Sequence, residues 1–125
     1  MKKLVIANRG EIARRILRSA RGRGYTVAVI STPEDADALV RLEADDVLEV
    51  ASFLDAEVIV SAAKKWNASL LHPGYGFLSE NADFAAACAG AGLVFIGPSP
   101  DAIRLMGNKR LAKERMIAAG VPCVP

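Results

Sequence analysis

The stretch Ala68-Ser-Leu-Leu-His-Pro-Gly-Tyr-Gly-Phe-Leu-Ser-Glu-Asn81 decides the reading of this chain. Four strand-like residues, Ala68–Leu71, empty into a turn with two glycines, a proline and the only histidine, His72. The alanine-rich run Asn81–Ala91 that follows has the composition of a helix and closes at Gly92. A strand that opens into a glycine-rich turn and then a helix is where open α/β sheets place ligands. Gly74 and Gly76 give the backbone freedom to turn sharply. Tyr75, between them, is expected to point outward with a ring face and a hydroxyl on offer.

The same strand-then-helix rhythm extends in both directions. Lys3–Ala7 is a short apolar run, suited to a strand buried on both faces. Glu11–Ala20 carries Ile12, Ala13, Ile16, Leu17 and Ala20 at amphipathic spacing, and Gly22 and Gly24 are expected to end it. Thr26–Ile30 reads as a second strand and Asp45–Val50 as a weaker third. Asp55–Lys65 reads as a helix capped by Asp55, with Ser69–Leu71 as the fourth strand. Leu93–Ile96 makes a fifth, followed by short helices over Pro100–Met106 and Asn108–Ala119, the latter capped by Asn108. Ser31–Glu43, with Pro33 and several carboxylates, reads as a loop with at most a short helix. Repeated β-α units of this kind predict an α/β domain: an open, mostly parallel, Rossmann-like sheet of about five strands with helices on both faces.

Composition narrows the class further. The 125 residues suffice for one core, and 52% hydrophobic content argues for a well-buried one. A net charge of +2 is too small to argue for nucleic acid. The arginines at 14, 15, 18, 21 and 23 fit a solvated helix face. No apolar run approaches a membrane span, and Arg9 and Glu11 follow too soon after the charged start for a signal peptide. Cys88 and Cys123 have no metal-ligand spacing and read as reduced thiols of a cytoplasmic protein. Gly120-Val-Pro-Cys-Val-Pro125 reads as an extended linker, so residues 1–120 are expected to be the first domain of a longer chain.

Several residues carry two readings. In the first β-α turn, Ala7-Asn-Arg-Gly-Glu-Ile12, a single glycine with Arg9 and Glu11 argues against a dinucleotide fingerprint, and Asn8 and Glu11 are expected to assist the helix start. His72 is either a neutral-pH acid–base group or a structural ring bonded to nearby backbone. Glu80 is a helix-cap carboxylate or a ligand-facing polar group. Lys109, just after Met106-Gly-Asn108, sits at a helix start where the dipole favours anions. It is a surface lysine or a group to which an anion is brought.

Four blocks together resemble the N-terminal domain of biotin carboxylase, the ATP-grasp component of acetyl-CoA, propionyl-CoA and pyruvate carboxylases. They are Ile6-Ala-Asn-Arg-Gly-Glu-Ile-Ala13, then His72–Asn81, then Phe95-Ile-Gly-Pro98 with Ile103-Arg-Leu-Met-Gly107, and last Ala119-Gly-Val-Pro-Cys-Val-Pro125. The resemblance implies ATP-dependent carboxylation of biotin by bicarbonate through carboxyphosphate, with Mg2+, ATP and biotin as cofactors of the full-length enzyme. It implies that Lys109 meets the nucleotide phosphates, that Tyr75, Gly76 and Glu80 line the biotin pocket, and that Arg15 and Arg18 lie at a homodimer interface. Its partners would be the ATP-grasp and C-terminal domains of the same chain, a biotin carboxyl carrier and a carboxyltransferase. Residues 1–125 alone would be inactive and hold no cofactor tightly. The chain departs from the family pattern at Leu39-Val40, where a His-Val pair is usual, and in the shortened loop Val50–Leu54. Asn108 replaces an aspartate, and Gly22 stands where an acidic residue often sits. Two other readings are another ATP-grasp ligase, which would not carry His72–Asn81 intact, and a non-catalytic α/β dimerisation or binding module.

Overall fold

The computed structural model describes residues 2–123, and of Phe77 the backbone alone. Five strands, β1 (Lys3–Ile6), β2 (Thr26–Ser31), β3 (Asp46–Glu49), β4 (Leu70–His72) and β5 (Val94–Phe95), form one parallel sheet in the order β3-β2-β1-β4-β5. The helices are α1 (Gly10–Gly22), α2 (Leu39–Glu43), α3 (Ala56–Lys65), α4 (Ala82–Gly90), α5 (Pro100–Gly107) and α6 (Lys109–Ala118). Short 3-10 turns occupy Pro33–Asp35 and Phe77–Glu80.

Strand periodicity sends alternate residues to opposite faces, and here both faces are buried. Val5, Ala7, Ala28, Ile30 and Leu71 face α3 and α4, meeting Ile59, Ala63, Phe84 and Cys88. Leu4, Ile6, Val27 and Val29 face the other way, onto Ala13, Leu17 and Ala20 of α1 and Val40 of α2. This double burial is why the strands read as unbroken apolar runs. Phe84 lies edge-on to Phe95, ring centroids 6.0 Å apart.

Helix starts follow capping chemistry at most positions. Asp55, Asn81, Ser99 and Asn108 each accept a backbone N–H from the first turn of α3, α4, α5 and α6 respectively. α1 ends at Gly22, two residues beyond the periodic run Glu11–Ala20, and a C-terminal turn closes on Gly24, whose φ is +85°, as these glycines predict. One expectation needs correction. The arginine face of α1 is partly paired, not simply solvated: Arg14 bonds Glu43 and Arg21 bonds Asp45 at 2.7 Å. Ser31–Glu43 holds the 3-10 turn and the short α2, as its composition allowed. Residues 121–123 are non-helical, and the last two positions of the expected linker, Val124 and Pro125, lie outside the described residues. No helix among the described residues is long and apolar enough to cross a membrane.

The two cysteines are free and differ sharply in setting. Cys88 is fully buried in α4, and burial pushes its thiol up to about 11, whereas Cys123 is half-buried near the end of the chain. At neutral pH a thiol reagent should titrate Cys123 promptly and reach Cys88 only on unfolding, because the reactive species is the thiolate. Two thiols titrating at equal rates in the folded protein would contradict this burial.

Candidate functional site

The sheet order reverses direction between β1 and β4. From β1 the chain moves outward through β2 and β3, then α3 carries it back across to β4 and on to β5. The crevice outside the carboxyl ends of two such strands is the usual ligand position in an open α/β sheet. Register pairs Ile6 with His72, and the Ala7 N–H donates to the His72 carbonyl at 2.9 Å. The segments leaving β1 and β4 therefore lie side by side.

After β4 the chain turns at once. Pro73 is fully buried, Gly74 and Gly76 have φ of +67° and +85°, and Tyr75 between them is 71% exposed. Both glycines are in the region that L side chains avoid, so the turn needs glycine at each position. The Ser79 hydroxyl donates back to the Gly76 carbonyl. His72 Nδ1 accepts the Gly74 N–H at 3.0 Å, which places the neutral ring's proton on Nε2. Burial pushes the pKa of His72 below its ordinary value. This geometry favours the structural reading of His72 over the acid–base one.

Asn8 does not cap α1, contrary to the expectation from sequence. The N-cap is Arg9, whose side chain makes no capping hydrogen bond. Asn8 Nδ2 instead donates to the carbonyls of Pro73 at 2.8 Å and Tyr75 at 2.9 Å, while its Oδ1 accepts the Arg9 N–H at 2.8 Å. Its position directly after a strand was the available signal. A capping asparagine and a cross-linking one look identical until the neighbouring strand is known. Arg9 is held by Asp35 at 2.8 Å and Glu34 at 3.2 Å, with its guanidinium 5.7 Å from the Phe53 ring centre. A depression of about 340 Å³ opens here, lined by Asn8, Arg9, Phe53, Leu54, Tyr75 and Leu78. Phe53 and Leu54 belong to the loop Val50–Leu54, which the sequence sets apart from the family pattern without pointing to either residue as part of a site.

Glu80 ends the 3-10 turn and is exposed. It is not the helix cap: Asn81 caps α4, accepting the Phe84 N–H at 3.0 Å. Glu80 shares a groove with Ser79, Pro98, Ala102, Ile103 and Met106, so it faces the end of α5. Lys109 is the exposed first residue of α6, two positions beyond Gly107 in that groove, with no ion-pair partner among the described residues. Glu80 and the approach to Lys109 thus belong to one groove, and Tyr75 to a different depression. Arg15 and Arg18 are exposed on α1, and Arg15 borders a shallow surface with Ile16, His72 and Tyr75. No group of three or more His, Cys, Asp or Glu that could hold a metal ion occurs among the described residues.

The family described as "Biotin carboxylase, N-terminal domain" matches residues 1–103. A biotin carboxylase of Nostoc sp. is 50% identical over 129 aligned residues, covering 98% of this chain and 29% of the relative. The mitochondrial methylcrotonoyl-CoA carboxylase subunit alpha of Oryza sativa subsp. japonica is 47% identical, covering 100% of this chain and 18% of that protein. Among solved structures, the biotin carboxylase domain of a single-chain bacterial carboxylase superposes with a TM-score of 0.95 at 42% identity, over 100% of this chain and 30% of that one. The chain therefore spans less than a third of the length of these relatives. The all-parallel sheet, the glycine turn at its switch point and these matches agree, and the chain belongs to the biotin carboxylase N-terminal domain family.

Proposed function

We propose that this domain supplies one wall of the active site of a longer biotin carboxylase, in which ATP activates bicarbonate as carboxyphosphate and biotin is then carboxylated. The observation that supports it most is the Tyr75–Gly76 turn at the sheet's switch point, in a chain of this family. The exposed Tyr75 ring and the open backbone of Gly76 would flank the biotin ring, and Glu80, which opens onto the separate groove beside α5, would be a polar group at the edge of that site. Lys109 would bind nucleotide phosphates, since a cation placed at a helix start is stabilised when an anion is brought to it. Mg2+ would be held by side chains outside this domain, since no converging set of three ligands occurs among its described residues.

Residues 1–120 would be the domain proper and 121–125 the start of a linker to ATP-grasp and C-terminal domains. Arg15 and Arg18 would meet a second copy in a homodimer. A biotin carboxyl carrier and a carboxyltransferase would be the partners, and the cytoplasm the compartment. The net charge of +2 gives no electrostatic footprint for nucleic acid, and no helix among the described residues would cross a membrane.

In the longer enzyme, Lys109→Ala should raise the KM for ATP roughly ten- to a hundredfold, the scale of a lost charged hydrogen bond. Tyr75→Ala should raise the KM for biotin about tenfold and leave that for ATP alone. The 125-residue chain by itself should show no bicarbonate-dependent ATP hydrolysis. Unchanged kinetics in both variants would overturn the site assignment, and hydrolysis by the isolated chain would overturn the claim that other domains are required.

A further inference from the structure

The turn that carries Tyr75 is held on one side by its own His72 and on the other by Asn8, a side chain from the segment that leaves β1. The Asn8 amide uses both its hydrogens on this turn, one to the Pro73 carbonyl and one to the Tyr75 carbonyl, at 2.8 and 2.9 Å. Its oxygen is fixed by the Arg9 N–H at 2.8 Å, so a flipped amide would set oxygen against two carbonyl oxygens. Gly74 lies directly on this amide, and a Cβ built there would fall inside the Asn8 side chain. On the far side, the Gly74 N–H is tied to His72 Nδ1. The turn is thereby clamped between Asn8 and His72, with the ring it presents left free.

We propose that Asn8 is a positioning residue for the biotin-facing turn, fixing where the Tyr75 ring and the Gly76 backbone stand. This rests on the biotin reading of Tyr75 above, and its test separates the two. Asn8→Asp is nearly isosteric and keeps the acceptor for Arg9, but it removes both donors to the turn. Gly74→Ala attacks the same contact from the other side.

In the 125-residue chain, NMR order parameters at residues 74–76 should fall from about 0.85 toward 0.6 in Asn8→Asp, Asn8→Ala and Gly74→Ala. Those of β1 and β4 should stay rigid. In the full-length enzyme of the proposed reading, Asn8→Asp should raise the KM for biotin about five- to thirtyfold, the scale of one to two hydrogen bonds, with the KM for ATP unchanged. An ordered turn in all three variants overturns the positioning role. A loosened turn with an unchanged biotin KM upholds the positioning role and overturns the biotin assignment of Tyr75. A general loss of order, or equal rises in both KM values, also counts against positioning, because a merely structural asparagine predicts it.

Discussion

Phe84→Ala should lower the unfolding free energy by about 3–5 kcal/mol, a large share of the roughly 5–15 kcal/mol of a domain this size. Phe84 is fully buried in α4, is the largest fully buried side chain among the described residues, and meets Phe95 edge-on. Its removal costs the transfer free energy of the ring, the aromatic pair, and the cavity that α3, α4 and the sheet cannot close. Urea unfolding followed by circular dichroism would measure it. The midpoint should drop substantially with the slope unchanged, and a loss under 1 kcal/mol would mean that the site collapses around the deletion.

Acidification should produce the second large effect. Burial raises the Asp35 carboxyl, yet hydrogen bonds from Thr32 and Arg9 outweigh it and hold the group below the ordinary carboxylate range. Asp45 is held down by Arg21 and the Val27 N–H, and Glu43 by Arg14. A carboxylate whose folded pKa is depressed adds stability above its unfolded pKa, and that stability is lost as pH falls through the folded one. His72 acts in the same direction from a higher start: burial disfavours its charged form, so stability declines as pH falls below about 6.5, the unfolded value. Stability should therefore be flat near pH 7–8, ease off below 6.5, and fall steeply below about 4. Asp35→Asn and Asp45→Asn should each flatten the acid limb and lower the neutral plateau. A plateau that rises toward acid would contradict the ion pairs.

Much of the architecture was legible because both sheet faces are buried. Continuous apolar runs such as Lys3–Ala7 and Thr26–Ile30 mark such strands, and Asp55 and Asn108 mark helix starts by a local bond. Local bonds are what sequence displays. Asn8 was misread because its partners lie 65 and 67 residues away, and the Arg14–Glu43 and Arg21–Asp45 pairs escaped for the same reason. The turn at Gly74 and Gly76 was readable from glycine chemistry alone. That Tyr75 and Glu80 open onto different depressions was not, because this depends on how Phe53 and α5 pack around them.

The pairing of β1 with β4 has a consequence for the order of assembly. β1–β2 and β2–β3 join strands about 20 residues apart, whereas β1–β4 joins residues 66 apart and traps a much longer loop. Closing that loop carries the greater entropic cost, so it favours late formation. A nascent chain that has folded only its first three strands has a hydrophobic sheet but no clamped Tyr75 turn. The clamped turn can form only once β1 and β4 have paired, so a ligand that reads this turn also reports that this long loop has closed.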